Sequence, residues 1–493
     1  MRKLLSVLLS ISLVLSSVVM LSTVVGAESK FKITEDAGIK AQLQDFKDIK
    51  ALFTATPVLA DIKAFYVTKF QTNVKAIDAP TKAEDPKIDE SISLVLDNAI
   101  KGTLNAAQAK QAVDKGLQWY FYFSLKDLVI KKVKPALESG DKATAKANFD
   151  KAIQIYEGAL QATAQKRDDK FKTTMRDALD NVIIPLIQAD IESGNVLDFN
   201  VHRQMLDKTL IKLFTLATLT YAESIPTKPA ADQPAAFTEG YFFYMPVYAY
   251  LKGGSPADAN YVKDAFGSGD ASKIDFVKIQ AAIQRALIGK VSEYVLKSFT
   301  KLEANDLQGA RGYSYEGIMF VAAQETFLGA KYAEVQKLAL LYQNAVDYSE
   351  LENAKKYGFQ MLKFLVISDG IHLTIGSKTL NVNGVEKTFD VASYLNTETN
   401  RTLVPTRAIA EALQAEVTYV EATQTVKVVK DGKTLELIVG SDKVTQDGVV
   451  NLKFKLDQPV LIKDNRSFIP LRAVAELFGK KVFYDQGEVI ILR

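Results

Sequence analysis

The spacing of apolar residues changes along this 493-residue chain, and the change limits the folds that it can adopt. Up to about residue 367 the apolar residues recur at helical spacing, as in residues 206–219. From His372 onward they alternate or flank tight turns, which is typical of β-strands. We therefore predict a multidomain protein. A large all-α domain of helical hairpin repeats or a helical bundle occupies residues 28–367, and a small α+β domain occupies residues 368–493.

The C-terminal region contains a segment that recurs at a constant offset of 65 residues. Each copy reads as a strand ended by proline, a short helix with an apolar face, and a further strand. Asn-Gly and Asp-Gly pairs between alternating runs predict tight hairpins around the copies. The matched positions are Arg401, Pro405 and Arg407 in the first copy and Arg466, Pro470 and Arg472 in the second. The two copies together predict one small α+β domain.

The doubled pattern R-x-x-x-P-x-R-x-[IV]-A-E resembles the bacterial copper amine oxidase N-terminal-like domain, also called the stalk domain. The resemblance covers about a quarter of the chain, and the helical region is assigned to no family. It implies a non-catalytic module of secreted or cell-surface bacterial proteins, which acts as a spacer or attachment element and carries no copper. An aromatic position that is usually tryptophan in this family is filled here by Tyr419 and Tyr484.

The first 27 residues have the pattern of an export signal. Arg2 and Lys3 form a basic start, residues 4–21 are an apolar run, and Val25-Gly26-Ala27 places small residues where a signal peptidase cleaves. We expect the mature chain to begin at Glu28, the alternative being an uncleaved anchor. No later stretch is long enough to span a bilayer, so we predict a secreted or cell-surface protein without a transmembrane segment after signal removal.

The composition excludes many kinds of site. The absence of cysteine removes disulfides, thiolate metal sites and cysteine nucleophiles, and only His202 and His372 are left for imidazole chemistry. Neither histidine lies in the context of a Ser-His-Asp triad. A formal charge of +3 provides no field to attract nucleic acid. We expect no catalytic residues, no cofactor, no nucleic-acid partner and no enzymatic activity.

Three glutamates stand immediately before a glycine within the helical sequence: Glu157, Glu239 and Glu316. Inward-facing carboxylates from different helices hold metal ions in some helical bundles, although such sites normally add Glu-x-x-His pairs, which this chain lacks. The commoner interpretation is that these glutamates are exposed or lie at helix ends. A carboxylate-ligated metal-binding or uptake component is therefore an alternative function.

Two helical runs are rich in aromatic residues, and they contain Trp119, Tyr120, Tyr241 and Tyr244. Aromatic side chains all round a helix indicate a buried helix, with tyrosine hydroxyls at the edge of the core. The alternative is a groove that binds a polysaccharide or another small ligand.

These patterns together predict a non-enzymatic, exported cell-envelope protein of a bacterium. The helical domain would bind or scaffold, and the stalk-like domain would act as a spacer or attachment module. A cell-wall polymer or a surface protein is the expected partner. The arginines of the repeat either face an anionic polymer or pair with carboxylates inside the domain.

Overall fold

The structure is a computed structural model that describes residues 31–366 and 370–492. The predicted export signal at residues 1–27 lies outside these residues. The chain divides after Gln336 into two compact units. Among the described residues, no helix is both long and apolar enough to cross a membrane.

The first unit is built from helices, and three-residue 3₁₀ turns occur between some of them. The α-helices are α1 Ala37–Ala51, α2 Leu59–Tyr66, α3 Thr72–Asp78, α4 Ile88–Ile100, α5 Ala106–Asp127, α6 Lys134–Glu138, α7 Lys142–Ile155, α8 Gln161–Phe171, α9 Met175–Ala178, α10 Ile184–Ser193, α11 Val196–Ser224, α12 Gln233–Gly254, α13 Pro256–Gly267, α14 Phe276–Glu303, α15 Leu307–Ala322 and α16 Glu325–Leu328. Short π-helical segments join some of them without a break: Val67–Gln71, Leu128–Val133, Tyr156–Leu160 and Leu179–Ile183.

Local sequence explains where several of these helices begin. Asn105 and Gln108 form a capping box at the start of α5. Asp275 and Asp306 accept backbone hydrogen bonds at the starts of α14 and α15. Pro185 lies at the start of α10, directly after the π-helical segment Leu179–Ile183, and it has no N–H to donate to a regular helical hydrogen bond. The long helices α11, α12 and α14 pack on one another and form the centre of the unit.

A set of buried contacts in this unit occurs twice, at an offset of 90 residues. Tyr66 donates a hydrogen bond to an aspartate 2.9 Å away, and Tyr156 does the same at 2.7 Å. Twelve residues after each tyrosine, Asp78 and Asp168 accept two backbone N–H groups from the start of a following helix. These contacts indicate a partial internal duplication of the helical unit at a spacing of about 90 residues.

The second unit contains the predicted α+β domain and also a preceding helix. Helix α17 Tyr332–Asp347 spans the division between the units, and α18 Leu351–Val366 packs on strands β1 Gly370–Thr374, β13 Lys481–Asp485 and β14 Glu488–Leu492. Lys363 of α18 forms an ion pair with Glu488 at 2.6 Å. The division into compact units therefore falls about 30 residues before the change of apolar spacing.

Antiparallel pairing joins the strands of the second unit. The remaining strands are β2 Thr379–Val382, β3 Val385–Thr388, β4 Tyr394–Asn396, β5 Arg401–Pro405, β6 Glu416–Val420, β7 Thr425–Lys430, β8 Lys433–Ile438, β9 Lys443–Gln446, β10 Val449–Lys455, β11 Leu461–Lys463 and β12 Arg466–Pro470. Among the described residues they form sheets in the orders β13-β14-β1-β2-β3, β10-β9-β8-β7-β6 and β11-β12-β5-β4. The predicted turns Asn383-Gly384, Asp431-Gly432 and Asp447-Gly448 join neighbouring strands with positive φ at both residues.

The two copies of the repeat meet in the sheet β11-β12-β5-β4, where strand β5 of the first copy pairs with strand β12 of the second. Strand β5 leads into helix α19 Thr406–Leu413, and β12 leads into α20 Leu471–Leu477. Val404 lies opposite Ile469 in the paired strands. Because these two residues are equivalent in the repeat, an approximate twofold axis passes through this pair and relates the copies. The predicted fold class is confirmed: a helical N-terminal region precedes a strand-rich domain with antiparallel sheets.

Candidate functional site

Two of the three glutamates proposed as metal ligands instead form ion pairs with lysines inside the helical unit. The Nζ atom of Lys208 on α11 lies 2.9 Å from Glu316 and 2.6 Å from Asp207. Its side chain is 2% exposed. Gln204 also accepts a hydrogen bond from Lys208, at 3.2 Å. All the donor capacity of this buried ammonium group is thus directed at oxygen atoms.

Tyrosines and a second lysine complete this cluster. Tyr122 donates a hydrogen bond to Asp207 at 2.8 Å, and Tyr250 donates one at 3.3 Å. Lys126 lies 3.8 Å from the same carboxylate. Tyr294 lies beside Glu316, and burial together with the charge of this glutamate raises the pKa of the tyrosine hydroxyl. The result is a closed network from α5, α11, α12, α14 and α15.

A second cluster shares the central residue types of the first. Lys115 on α5 lies 2.7 Å from Asp114 and 3.2 Å from Glu239. Lys50 is 3.7 Å from Asp114, and Tyr221 lies beside Glu239, whose charge adds to burial in raising the pKa of the tyrosine hydroxyl. Each cluster therefore has an Asp-Lys pair on one helix, a glutamate on another, a second lysine and a tyrosine.

The aromatic residue four positions after each glutamate covers the central lysine. Phe243 lies under Lys115 and Phe320 under Lys208, with 5.1 Å between the ammonium nitrogen and the ring centroid in both cases. The glycine next to each glutamate permits close helix approach. A Cβ atom on Gly240 would lie 2.3 Å from Phe266, and one on Gly317 would lie 3.3 Å from the Tyr294 side chain.

Electrostatics favours the charged forms of the Asp-Lys pair in each cluster, whereas burial lowers the pKa of the second lysine, Lys126 or Lys50. Burial disfavours the charge of Asp207, but Lys126 and Lys208 outweigh it and hold the pKa of this carboxyl well below its usual range. Burial also opposes the charge of Lys208, yet its two carboxylate neighbours raise the pKa of the amine. The same balance lowers the pKa of Asp114 and raises that of Lys115. General acids and bases need pKa values near the working pH, so these shifts favour a structural role over proton transfer.

The predicted metal ligands are not gathered into one site in the described part of the chain. Glu157 is half-buried in the π segment Tyr156–Leu160, apart from both lysine clusters. Across residues 31–366 and 370–492, no group of three or more acidic or histidine side chains has an arrangement that could hold a metal ion. Glu239 forms an ion pair with Lys115, and Glu316 forms one with Lys208. These lysines supply the positive charge that a metal ion would otherwise provide.

The aromatic residues proposed for a ligand groove lie mostly in the core. Trp119, Tyr120 and Tyr244 are buried, and Tyr241 is half-buried beside Phe242. Tyr244 donates a hydrogen bond to a backbone carbonyl at 2.8 Å. Helices with aromatic residues on every face are enclosed by their neighbours, which explains why these rings form core rather than a groove.

The arginines of the C-terminal repeat fall into two classes. Arg466 pairs with Asp390 at 2.7 Å, and Arg401 pairs with Asp457. Arg407 and Arg472 are exposed in the first turns of α19 and α20, and the structure gives them no ion pair or hydrogen bond within the residues that it describes.

Sequence analysis missed the Asp-Lys pairs that organise the helical unit. Asp114-Lys115 and Asp207-Lys208 each stand at the start of a strongly apolar or aromatic stretch. A lysine that is flanked by long apolar runs is rarely buried without a partner. The sequence could therefore have predicted that Lys115 and Lys208 each face a buried carboxylate. The partners themselves lie more than 100 residues away in the sequence.

Comparison with known families gives one match. Residues 381–492 match the model of the copper amine oxidase N-terminal domain, a bacterial domain that is itself non-catalytic. No curated protein and no solved structure matches the chain. The helical region has no family match. The resemblance seen in the doubled repeat is therefore confirmed: the C-terminal part of the chain resembles the copper amine oxidase N-terminal domain.

Proposed function

We propose that this protein is exported and acts at the surface of a bacterial cell as a non-enzymatic binding or scaffolding protein. The helical unit binds, and the C-terminal domain attaches the protein to the cell wall or spaces it from the wall. The export pattern of residues 1–27 and the family match at residues 381–492 support this proposal. The ion-paired state of the lysine clusters is consistent with a scaffold.

The observation that carries the attachment role is the contrast between the arginines of the repeat. The first arginine of each copy is neutralised by an aspartate of its own domain. The second, Arg407 or Arg472, is exposed at an equivalent position. Two equivalent guanidinium groups, each with its full set of donors, suit a polymer with repeated phosphate or carboxylate groups. An anionic cell-wall polymer is therefore the proposed partner of this domain.

Sedimentation of the purified full chain with isolated cell walls tests the attachment role. The double variant Arg407→Gln/Arg472→Gln should bind walls at least about tenfold more weakly, the equivalent of about 1.4 kcal/mol. The control Lys433→Gln/Lys453→Gln removes the same charge from exposed positions of the same domain and should bind as the parent does. Equal binding by both double variants would contradict the proposal.

Export is tested separately in a bacterium that expresses the whole chain. We expect the protein in the wall or medium fraction, with an intact mass that lacks residues 1–27. Protein that stays in the cytoplasm at full mass would argue against an exported function.

A further inference from the structure

A cavity of about 360 Å³ lies in the helical unit, between the segment that precedes α1, helix α7 and helix α10. Its volume falls at the lower end of the range of about 300–1,000 Å³ that small-molecule sites occupy. Two other pockets of this unit hold about 20 and 10 Å³, less than a small ligand needs. The size of this cavity therefore suits a small ligand.

The buried carboxylates in the wall of the cavity already have partners within the fold. Asp150 forms an ion pair with Lys146 at 2.7 Å. Asp180 accepts a hydrogen bond from Tyr156 at 2.7 Å and forms an ion pair with Arg176 at 3.2 Å. These two carboxylate side chains are 2% and 7% exposed. Both therefore serve the packing of the helices and are not accessible to a ligand.

The accessible polar side chains of the cavity differ from these buried pairs. Lys32 and Glu192 line the cavity and are exposed, and Gln188 beside them is half-buried. Within residues 31–366 and 370–492, the structure gives none of these three side chains an ion pair or a hydrogen bond, and the lysine does not pair with the glutamate. The cavity thus presents a positive charge, a negative charge and an amide to a ligand.

The internal duplication shows that these groups are not part of the repeated framework. Asp180 accepts hydrogen bonds from a tyrosine and a glutamine, as Asp89 does in the first copy. Counted from these two aspartates, the counterpart of Gln188 is Asp97, which forms an ion pair within its own copy. At the counterpart of Glu192 the first copy has a lysine. The accessible carboxylate and amide therefore belong to the second copy alone, where the cavity lies.

The signs of the accessible charges determine which ligand fits. A simple anion would be attracted by Lys32 and repelled by Glu192, and a simple cation would meet the reverse. A ligand with an ammonium group at one end and a carboxylate at the other can form a charge-assisted hydrogen bond with each of them. The amide of Gln188 offers both donors and an acceptor, which matches the N–H and C=O of a peptide group.

We propose that this cavity binds a short peptide of two or three residues through its free termini. Glu192 receives the α-ammonium group, Lys32 receives the α-carboxylate, and Gln188 exchanges hydrogen bonds with a peptide group between them. The exposed side chain of Pro185 gives the ligand an apolar contact. This inference rests on the proposed function in one respect, because it names a ligand class for the unit that is proposed to bind.

The test is isothermal titration of the full chain with trialanine and with two matched derivatives, N-acetyl-trialanine and trialanine amide, each of which lacks one terminal charge. We expect trialanine to bind, and each derivative to bind at least about tenfold more weakly. Lys32→Gln should weaken the binding of trialanine by at least about tenfold but hardly change that of the amide, which has no carboxylate for the lysine to meet. Glu192→Gln should likewise weaken trialanine and spare the acetylated peptide.

Lys47→Gln is the matched control. Lys47 is exposed on α1 and is not among the residues that line the cavity, so loss of its charge should leave the affinity for trialanine as in the parent. All three substitutions change exposed side chains and should leave the melting temperature unchanged.

The proposal is overturned if trialanine does not bind, if either derivative binds as tightly as trialanine, or if either Lys32→Gln or Glu192→Gln binds trialanine as the parent does. None of these results depends on export or on wall attachment, which is tested through Arg407 and Arg472. Failure of this inference and failure of the attachment role can therefore be told apart.

Discussion

The ammonium group of Lys208 lies 2.9 Å from the carboxylate of Glu316, a residue 108 positions further along the chain. Substitution of this lysine by methionine keeps the length of the side chain but leaves Glu316 and Asp207 as buried carboxylates without their shared cation. Removal of one partner of a buried ion pair typically costs about 3–5 kcal/mol. We expect Lys208→Met to lower the stability of the helical unit by that amount, measured by urea denaturation.

The surface pair of Lys131 and Asp127 provides the control for this prediction. Lys131 is exposed and Asp127 is half-buried, and the two side chains lie one helical turn apart at 2.6 Å. Lys131→Met should change stability by less than about 1 kcal/mol, because exposed ion pairs are worth little. A loss of similar size in both variants would show that the Lys208 cluster does not hold the helices together.

The pH dependence of the clusters follows from the directions of their pKa shifts. The pKa of Asp207 is lowered in the folded protein, so its contribution to stability is present above the unfolded value of about 4 and is lost as the pH falls toward the folded pKa. The pKa of Lys208 is raised, so its contribution is present below about pH 10 and is lost at higher pH. The Asp207–Lys208 pair therefore contributes its full stabilisation between these limits, whereas burial lowers the pKa of Lys126 beside it.

Thermal melting of the parent and of Asp207→Asn checks this pH dependence. The difference in melting temperature should be large at pH 6 and should shrink below about pH 4, where Asp207 begins to be protonated in the parent as well. A difference that stays constant from pH 6 to pH 2.5 would contradict the assignment of the shift to this carboxylate.

Helices α12 and α14 cross at a pair of glycines, Gly254 and Gly289. A Cβ atom on Gly289 would lie 2.2 Å from the Gly254 carbonyl oxygen, and one on Gly254 would lie 1.9 Å from the Ala286 carbonyl oxygen. Because backbone atoms cannot move aside as side chains do, Gly289→Ala should destabilise the unit by about 1–3 kcal/mol. Chemical denaturation measures the effect.

Gly312 is the matched control within a helix of the same unit. A Cβ atom added there meets nothing within 4 Å. Gly312→Ala should therefore raise stability by about 0.5–1 kcal/mol, since alanine favours the helix more than glycine does. If Gly289→Ala is as stable as Gly312→Ala, the backbones at Gly254 and Gly289 are not in close contact.

Features that depend on nearby residues were predictable from the sequence. The turn at Asn383-Gly384 needs only two residues that tolerate positive φ, and the strand that ends at Pro405 needs only its own pattern. The copies could be matched because their 65-residue offset is constant. In this domain, local propensity and tertiary structure agree, so the fold could be inferred from one sequence.

The lysine clusters could not be predicted in the same way. Each cluster joins helices that are distant in the sequence, and no local pattern shows which carboxylate faces Lys115 or Lys208. Tertiary packing decides these neighbours. The sequence therefore singled out Glu157, Glu239 and Glu316 as possible metal ligands without showing that lysines face two of them.

The position of helix α18 leads to the last prediction, which concerns where the C-terminal unit begins. Phe359, Leu362 and Leu365 of this helix are buried, and Lys363 pairs with Glu488 of β14. Full burial of a large apolar side chain contributes about 1.5–3 kcal/mol. A fragment that starts at residue 370 would expose the sheet surface that α18 covers, whereas a fragment that starts at residue 337 keeps it covered.

We expect the fragment 337–493 to melt cooperatively and the fragment 370–493 to melt at least about 10 °C lower or to aggregate, since about 1 kcal/mol corresponds to several degrees in a domain of this size. A fragment that starts at residue 349 retains α18 and should behave like the longer one. Limited proteolysis of the whole chain should likewise yield a protected C-terminal fragment that begins before Leu351. Equal melting temperatures for the fragments that start at residues 337 and 370 would show that α18 is not part of the C-terminal unit. In that case the domain begins where the spacing of apolar residues changes, near residue 368.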